Sequence, residues 1–317
     1  MQDGNIGSDF NARTAGVVLL ALCLLLLAGC AATPRLAPAT EQALPRQVMI
    51  EDVPFHAQSD YQCGPASLAM VLNYADVEIP METLIPQVYL PGREGSVQPE
   101  MLATARRHGR IPYVLKDSFD SLLSEIAAGH PVVVMQNLSL PAWPMWHYAV
   151  VIGYDLDSEE MILHSGEEAQ RIEAFNRFDA TWARSGRWAF VALPPGVLPH
   201  TIGERRALEA VAAFEQVQGP VAALPAWKSL VEQFPSSGMG HFALGNTRYA
   251  AGDTQGAITA FRAAVERRDE LGAAWLNLGL LLASQDEADE ARYALNRAAA
   301  LPGSWQTQAK EALAQLP

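Results

Sequence analysis

The chain has 317 residues, with 35 acidic and 22 basic side chains and a formal net charge of −13. That balance excludes nucleic acid as the main partner, because phosphate backbones need Lys and Arg to neutralise them. Half of the residues are hydrophobic, enough to build the cores of two domains of ordinary size.

Residues 1–29 read as a unit of their own. Arg13 is the one basic residue before the apolar run "AGVVLLALCLLLLAG", Ala15 to Gly29. The run is short for a bilayer span and suits the h-region of a signal peptide. It ends in Leu27-Ala28-Gly29-Cys30, which resembles the lipobox of bacterial lipoproteins. The resemblance implies cleavage before Cys30 and a lipid on its thiol. An uncleaved anchor or an ordinary secretory signal are the alternatives. Ala31 is not the Asp that such families use for inner-membrane retention, so the expected site is the outer membrane, facing the periplasm. Three cysteines are present, Cys23, Cys30 and Cys63. With Cys23 cleaved away and Cys30 lipidated, Cys63 is the thiol that the mature chain keeps. An exposed lone thiol is a liability in an oxidising compartment, so it is either buried and inert or chemically employed.

Residues 30–46, rich in Ala and Pro, read as a lipidated tether. Residues 47–195 mix patterns. "QVMIEDVPF" alternates like a strand. "PASLAMVLNYA" and "QPEMLATARRHG" have helical spacing, and "SFDSLLSEIAAGH" is a helix capped by Ser118 and stopped by Gly129. Strand-like runs follow: "PVVVMQN", "HYAVVIGYD", "EMILHSG" and "RWAFVALPP". Helices first and antiparallel strands later predict an α+β domain.

Residues 196–203 read as a linker, and Ala-rich helical patterns occupy 204–317. Gly245 and Gly279 lie 34 residues apart, as do Leu244 and Leu278, Ala257 and Ala291, and Ala264 and Ala298. The spacing resembles the tetratricopeptide repeat, which predicts an all-α solenoid with about three copies and a closing helix near Ser304–Leu316. A weaker first copy places Ala223, Trp227 and Pro235 at matching offsets. Such solenoids present a surface that binds protein or peptide.

Cys63 opens a helical pattern, followed by Gly64 and Pro65. A thiol at a helix N-terminus lies near unsatisfied N–H groups and the positive end of the dipole, which lowers its pKa. Pro65 suits the first turn, and Gly64 lets the backbone pass close to a substrate. The alternative is a buried structural cysteine. The stretch "QSDYQCGPAS" resembles the active-site start of papain-like cysteine peptidases. The nearer match is the bacteriocin-leader-processing group, peptidase family thirty-nine and its relatives. The resemblance implies a papain-like fold with an antiparallel sheet and a Cys63 nucleophile. It also implies an oxyanion donor at Gln58, with Gln62 as rival, and an imidazole from "HYAVVIGYD", His147. Where the family has Asp before Pro, this chain has His164, which either orients His147 or merely packs in the sheet. Asp155 and Asn137 are the alternatives for the third member. "LSLPAWPMWH" puts Trp143 and Trp146 just before His147, either as an aromatic lip on the cleft or as plain packing.

Neither a metal-ligand motif nor a glycine-rich phosphate loop is present in the sequence, so no metal and no cofactor are expected. The implied function is an exported, lipid-anchored cysteine peptidase acting on peptide or protein, with repeats that bind substrate or a partner protein. One alternative is a non-catalytic scaffold with a degenerate peptidase domain. Another is a papain-like amidase or acyltransferase.

Overall fold

The computed structural model describes residues 33–57, 62–93 and 95–316. The expected signal sequence, Cys30 and Gln58 lie outside the described residues.

From Thr33 the chain is laid on the domain, where the sequence had read a tether. Pro38–Ala43 form a short helix, α1, with Pro38 in its first turn, where the missing N–H costs nothing. Thr33 Oγ1 donates to Glu159 Oε2 at 3.2 Å, and Ala37 N–H donates to Asp120 Oδ1 at 2.8 Å. Leu36 and Leu44 pack on the main core.

Next come β1 (Gln47–Met49), α2 (Cys63–Tyr74), α3 (Met81–Val88), and the small ribbon β2 (Tyr89–Leu90) and β3 (Gly95–Ser96). They are followed by α4 (Gln98–Arg107), β4 (Ile111–Val114), α5 (Phe119–Ala127), β5 (Val132–Asn137), β6 (Trp146–Asp155), β7 (Glu160–Ser165), β8 (Glu168–Ala174), α6 (Phe175–Ala183) and β9 (Ala189–Leu193). Seven strands form one antiparallel sheet in the order β4-β9-β5-β6-β7-β8, with β1 added to the far end of β6.

The expected α+β domain is therefore present, with two strands of the seven-stranded sheet that the patterns had not marked. β8 ("EAQRIEA") is the sheet edge and buries only Glu173 fully, so it carries no apolar alternation. β4 contains Pro112, which an edge strand tolerates because its outer N–H has no ladder partner.

α2 is the central helix. Nine consecutive residues, Gly64 to Leu72, are buried, so it has no polar face in that stretch. It runs against β5, β6 and β9. Leu68, Met70 and Leu72 are fully buried, each worth about 1.5–3 kcal/mol of transfer free energy. α5 starts and stops where the sequence placed it. Ser118 Oγ accepts from Ser121 N–H at 3.2 Å, and Gly129 takes a left-handed φ of 83°.

Beyond residue 203 the chain is helical: α7 (Glu204–Gln218), α8 (Pro220–Gln233), α9 (Gly238–Ala250), α10 (Thr254–Arg267), α11 (Gly272–Ser284), α12 (Ala288–Ala300) and α13 (Trp305–Gln315). The 34-residue spacing has a packing cause. A β-carbon on Gly245 would fall 2.5 Å from the Phe261 ring, and one on Gly279 would fall 2.6 Å from Leu295. Phe261 and Leu295 are themselves one period apart, so the same helix crossing is built twice.

The first, weaker copy behaves differently. Ala207, Val211, Phe214 and Trp227 belong to the core of the sheet domain, whereas Ala257, Phe261, Leu278 and Leu295 belong to a second core. The segment read as a linker is clamped to α5. Glu125, fully buried, accepts from Thr201 N–H at 3.1 Å and from Thr201 Oγ1 at 3.2 Å. Its other oxygen meets His130 Nδ1 at 2.9 Å. Gln218 Nε2 donates to the carbonyl of Arg106 at 2.7 Å and ties α7 to the end of α4.

Candidate active site

Cys63 is the first residue of α2 and is half-buried. The nearby backbone amides of Tyr148, Gly64 and Cys63 itself favour its thiolate. Two of these are the loose donors of a helix start. The third comes from β6 and fixes the thiol beside residue 148. Burial pushes the thiol pKa up, and the three N–H groups oppose it without cancelling it. The helix terminus acts as expected, but desolvation is the larger effect, so the resting thiol is protonated. Gly64 is needed for a different approach than the sequence suggested. A β-carbon there would lie 2.2 Å from Ser96 Oγ, so β3 presses directly on the first turn of α2.

His147 is the second residue of β6, one residue before that Tyr148 amide. Its Nε2 meets Ser165 Oγ at 2.9 Å. Among the described residues Ser165 is its one hydrogen-bond partner, and Nδ1 has none. No Cys63–His147 hydrogen bond forms among the described residues; thiol and imidazole share one end of β6 as neighbours. Burial, with the positive charge of Arg171 adding to it, pushes the imidazole pKa down to about 4. The imidazole is therefore neutral near pH 7. With Nε2 on the serine hydroxyl, Nδ1 is left as the proton acceptor.

The Peptidase C39 like family profile matches residues 50–190, and tetratricopeptide repeat profiles match 208–270 and 242–304. Residues 50–190 are a Peptidase C39 like domain, followed by tetratricopeptide repeats. Among solved structures, the chain is similar to a C39-like peptidase from Bacillus anthracis, at 19% identity and a TM-score of 0.41, covering 47% of this chain and 98% of that one. A double glycine motif protease from an AMS/PCAT transporter, in complex with the leader peptide, gives 20%, 0.35, 47% and 98%. The repeat half is similar to MamA, at 21% identity and a TM-score of 0.32, covering 35% of this chain and 64% of MamA. No curated protein matches the chain.

The third member is where the C39-like domain departs from the sequence reading. His164 does not orient His147. Val150 of β6 lies opposite His164 of β7, and successive side chains point to opposite faces. Tyr148, Val150 and His164 therefore share one face, while His147 shares the other with Ser165. His164 is buried and bonded on both nitrogens. Nε2 lies 3.1 Å from the Val53 carbonyl, and Nδ1 accepts from Gln170 N–H at 3.1 Å. That pattern assigns the proton to Nε2. The Gln170 amide reaches the ring because Gln170 has a left-handed φ of 53°, where the β7–β8 register shifts. Phe55 packs on the ring at 5.2 Å between centroids. Burial holds the His164 pKa below the ordinary histidine value, with the Val53 carbonyl pulling the other way. His164 thus fastens the segment at Val53–Phe55, which leads to Cys63.

The two alternatives are also spoken for. Asn137 Oδ1 accepts the amides of Ser139 at 3.1 Å and Met145 at 2.9 Å, closing the β5–β6 hairpin. Asp155 ends β6, eight residues from His147 or roughly 26 Å along the strand. There it accepts the amides of Asp157 and Ser158 and a bond from Gln47. His56 meets Asn73 at 3.2 Å and anchors the loop to α2.

The Trp143–Trp146 stretch is not core packing. Trp143 is 75% exposed and Trp146 is 51% exposed, on a hairpin held by Asn137 and by Arg184 bonds to two of its carbonyls. Sequence reasoning missed Ser165 and Arg171. Counting parity along "EMILHSG" would have separated Ser165 from His164, but the opposite residue on β6 was needed to start the count.

The two neighbours should separate in one experiment. Ser165→Ala removes one bond to His147, worth about 1 kcal/mol, and should slow epoxide labelling of Cys63 about fivefold with little change in Tm. His164→Ala leaves the buried Val53 carbonyl and the Gln170 amide without their partner and should lower stability by about 2–3 kcal/mol. The assignment fails if Ser165→Ala labels at the wild-type rate while a stably folded His164 variant loses it.

Proposed function

We propose that this chain is an exported, lipid-anchored cysteine peptidase whose repeats hold a protein substrate or partner. The observation that carries the catalytic reading is the seat of Cys63. Its sulfur is favoured by the Tyr148 amide, next to His147, whose Nδ1 has no partner among the described residues while Ser165 holds Nε2. The thiol gives its proton to Nδ1 as sulfur attacks the peptide carbonyl. Gln58 and the helix-start amides receive the oxyanion. The imidazolium then protonates the departing amine, leaving a Cys63 acyl-enzyme and a neutral imidazole. Water attacks the thioester with His147 as base, releasing the acid and restoring the thiol.

A hydroxyl stabilises imidazolium less than a carboxylate does, which fits the low pKa of His147. The same feature supports a second reading. A protonated thiol beside a weakly basic imidazole, without a direct hydrogen bond, also suits a recognition module that has lost turnover. Reaction of the full chain with a thiol-reactive peptidyl epoxide separates the two. The peptidase reading expects Cys63 to be labelled, His147→Ala to slow labelling by about 10²–10⁴-fold, and Cys63→Ser to abolish both labelling and cleavage of a peptide mixture. Labelling that ignores His147 would sink it.

The lipobox-like Leu27–Cys30 stretch supports an anchor on Cys30 at the outer membrane, on the periplasmic side. In bacterial cells, Cys30→Ser should move the chain from the detergent-extracted envelope to the soluble fraction. Unchanged envelope retention, with no fatty-acid label on the wild type, would remove the anchor.

A further inference from the structure

A cavity of about 370 Å³ opens between α10, α11 and α12, well away from Cys63. Its walls are apolar: Val265, Leu278, Leu282 and Ala294 are almost fully buried side chains that line it. Trp275 forms a fixed wall. Its Nε1 donates to the Asp269 carbonyl at 2.8 Å, the Arg297 guanidinium sits 5.5 Å from its ring centroid, and Tyr293 meets it edge-on at 5.7 Å. Tyr293 is nonetheless 62% exposed, a large aromatic held at the mouth with most of its surface in water.

The mouth is acidic. Glu266, Asp289 and Glu290 line it against one cation, Arg262. Arg262 is already committed, at 2.7 Å to Glu290 and 3.3 Å to Glu287. Glu266 has only Arg267, at 3.9 Å, and Asp289 has no ion-pair partner among the described residues. Two carboxylates are therefore left to face an incoming group over an apolar floor.

We propose that this cavity is a docking site for a segment of a partner protein that brings a large apolar side chain with Lys or Arg beside it. The volume lies at the low end of ligand pockets and admits one or two side chains rather than a domain surface. Burying Leu or Phe there removes its apolar surface from water, and the cation would reach the carboxylates of Glu266 and Asp289 at the mouth. The site is made by the second helices of two successive repeats, α10 and α12, with the first helix α11 as its floor. It deepens the reading of the repeats as a protein-binding module, and it does not rest on Cys63 chemistry.

The test uses the full chain and two short synthetic peptides, identical in their Leu and Phe residues, one carrying Lys between them and the other Glu. Calorimetry should find the Lys peptide bound at least tenfold tighter, with an affinity that falls as salt rises. Asp289→Lys and Tyr293→Ser alter exposed side chains and should each weaken binding about five- to tenfold. Epoxide labelling of Cys63 should be untouched in both, which keeps this result separate from the catalytic reading. Equal binding of the two peptides, no binding of the Lys peptide, or binding that ignores Asp289→Lys would overturn the proposal. So would a self-associated wild type made monomeric by Tyr293→Ser, because a second copy would then cover the groove.

Discussion

The contact between the first turn of α2 and the start of β6 governs the whole C39-like half. It sets the thiol near the Tyr148 amide, and Tyr148 follows His147, so one strand carries both the amide that favours the thiolate and the candidate imidazole. The same contact buries the sulfur. Burial opposes ionisation more strongly than the three N–H groups favour it. Seating and protonation state are therefore two consequences of one packing arrangement. Gly64 shows how tight it is, since Ser96 already stands where a side chain would begin.

Sheet parity then settles which group reaches the imidazole. In a strand, a shift of one residue changes the face. His164 and Ser165 are adjacent, yet one secures the Val53–Phe55 segment and the other meets His147. Burial first, and then the positive charge of Arg171, account for the low pKa of the imidazole that the Ser165 hydroxyl meets.

What the sequence made legible follows from how local each signal is. The caps of α5, the apolar runs of β5, β6, β7 and β9, and the 34-residue repeat rest on near neighbours or fixed periods. Each can be traced in the structure. Cys63 and His147 were found by motif, and the fold brings them to one end of β6. The partner of His147 was misassigned because it depends on register between two strands, which composition and spacing do not encode. β8 and β4 were missed as edge strands, one polar and one holding Pro112. The supposed linker and tether proved to be docked because Glu125, Asp120 and Glu159 supply acceptors from distant elements. Gln218 on Arg106 and the shared core of Ala207, Val211 and Phe214 join the first helical pair to the sheet domain, so the repeats extend from the C39-like core rather than hang from it.

The most direct test of this account is the titration of His147, followed by NMR of its ring signals in the intact chain. The account predicts a neutral imidazole at pH 7 that takes up its proton only near about pH 4, with little change in Cys63→Ala. A midpoint above the ordinary 6.5, falling when Cys63 is replaced, would reveal a thiolate–imidazolium pair and contradict it.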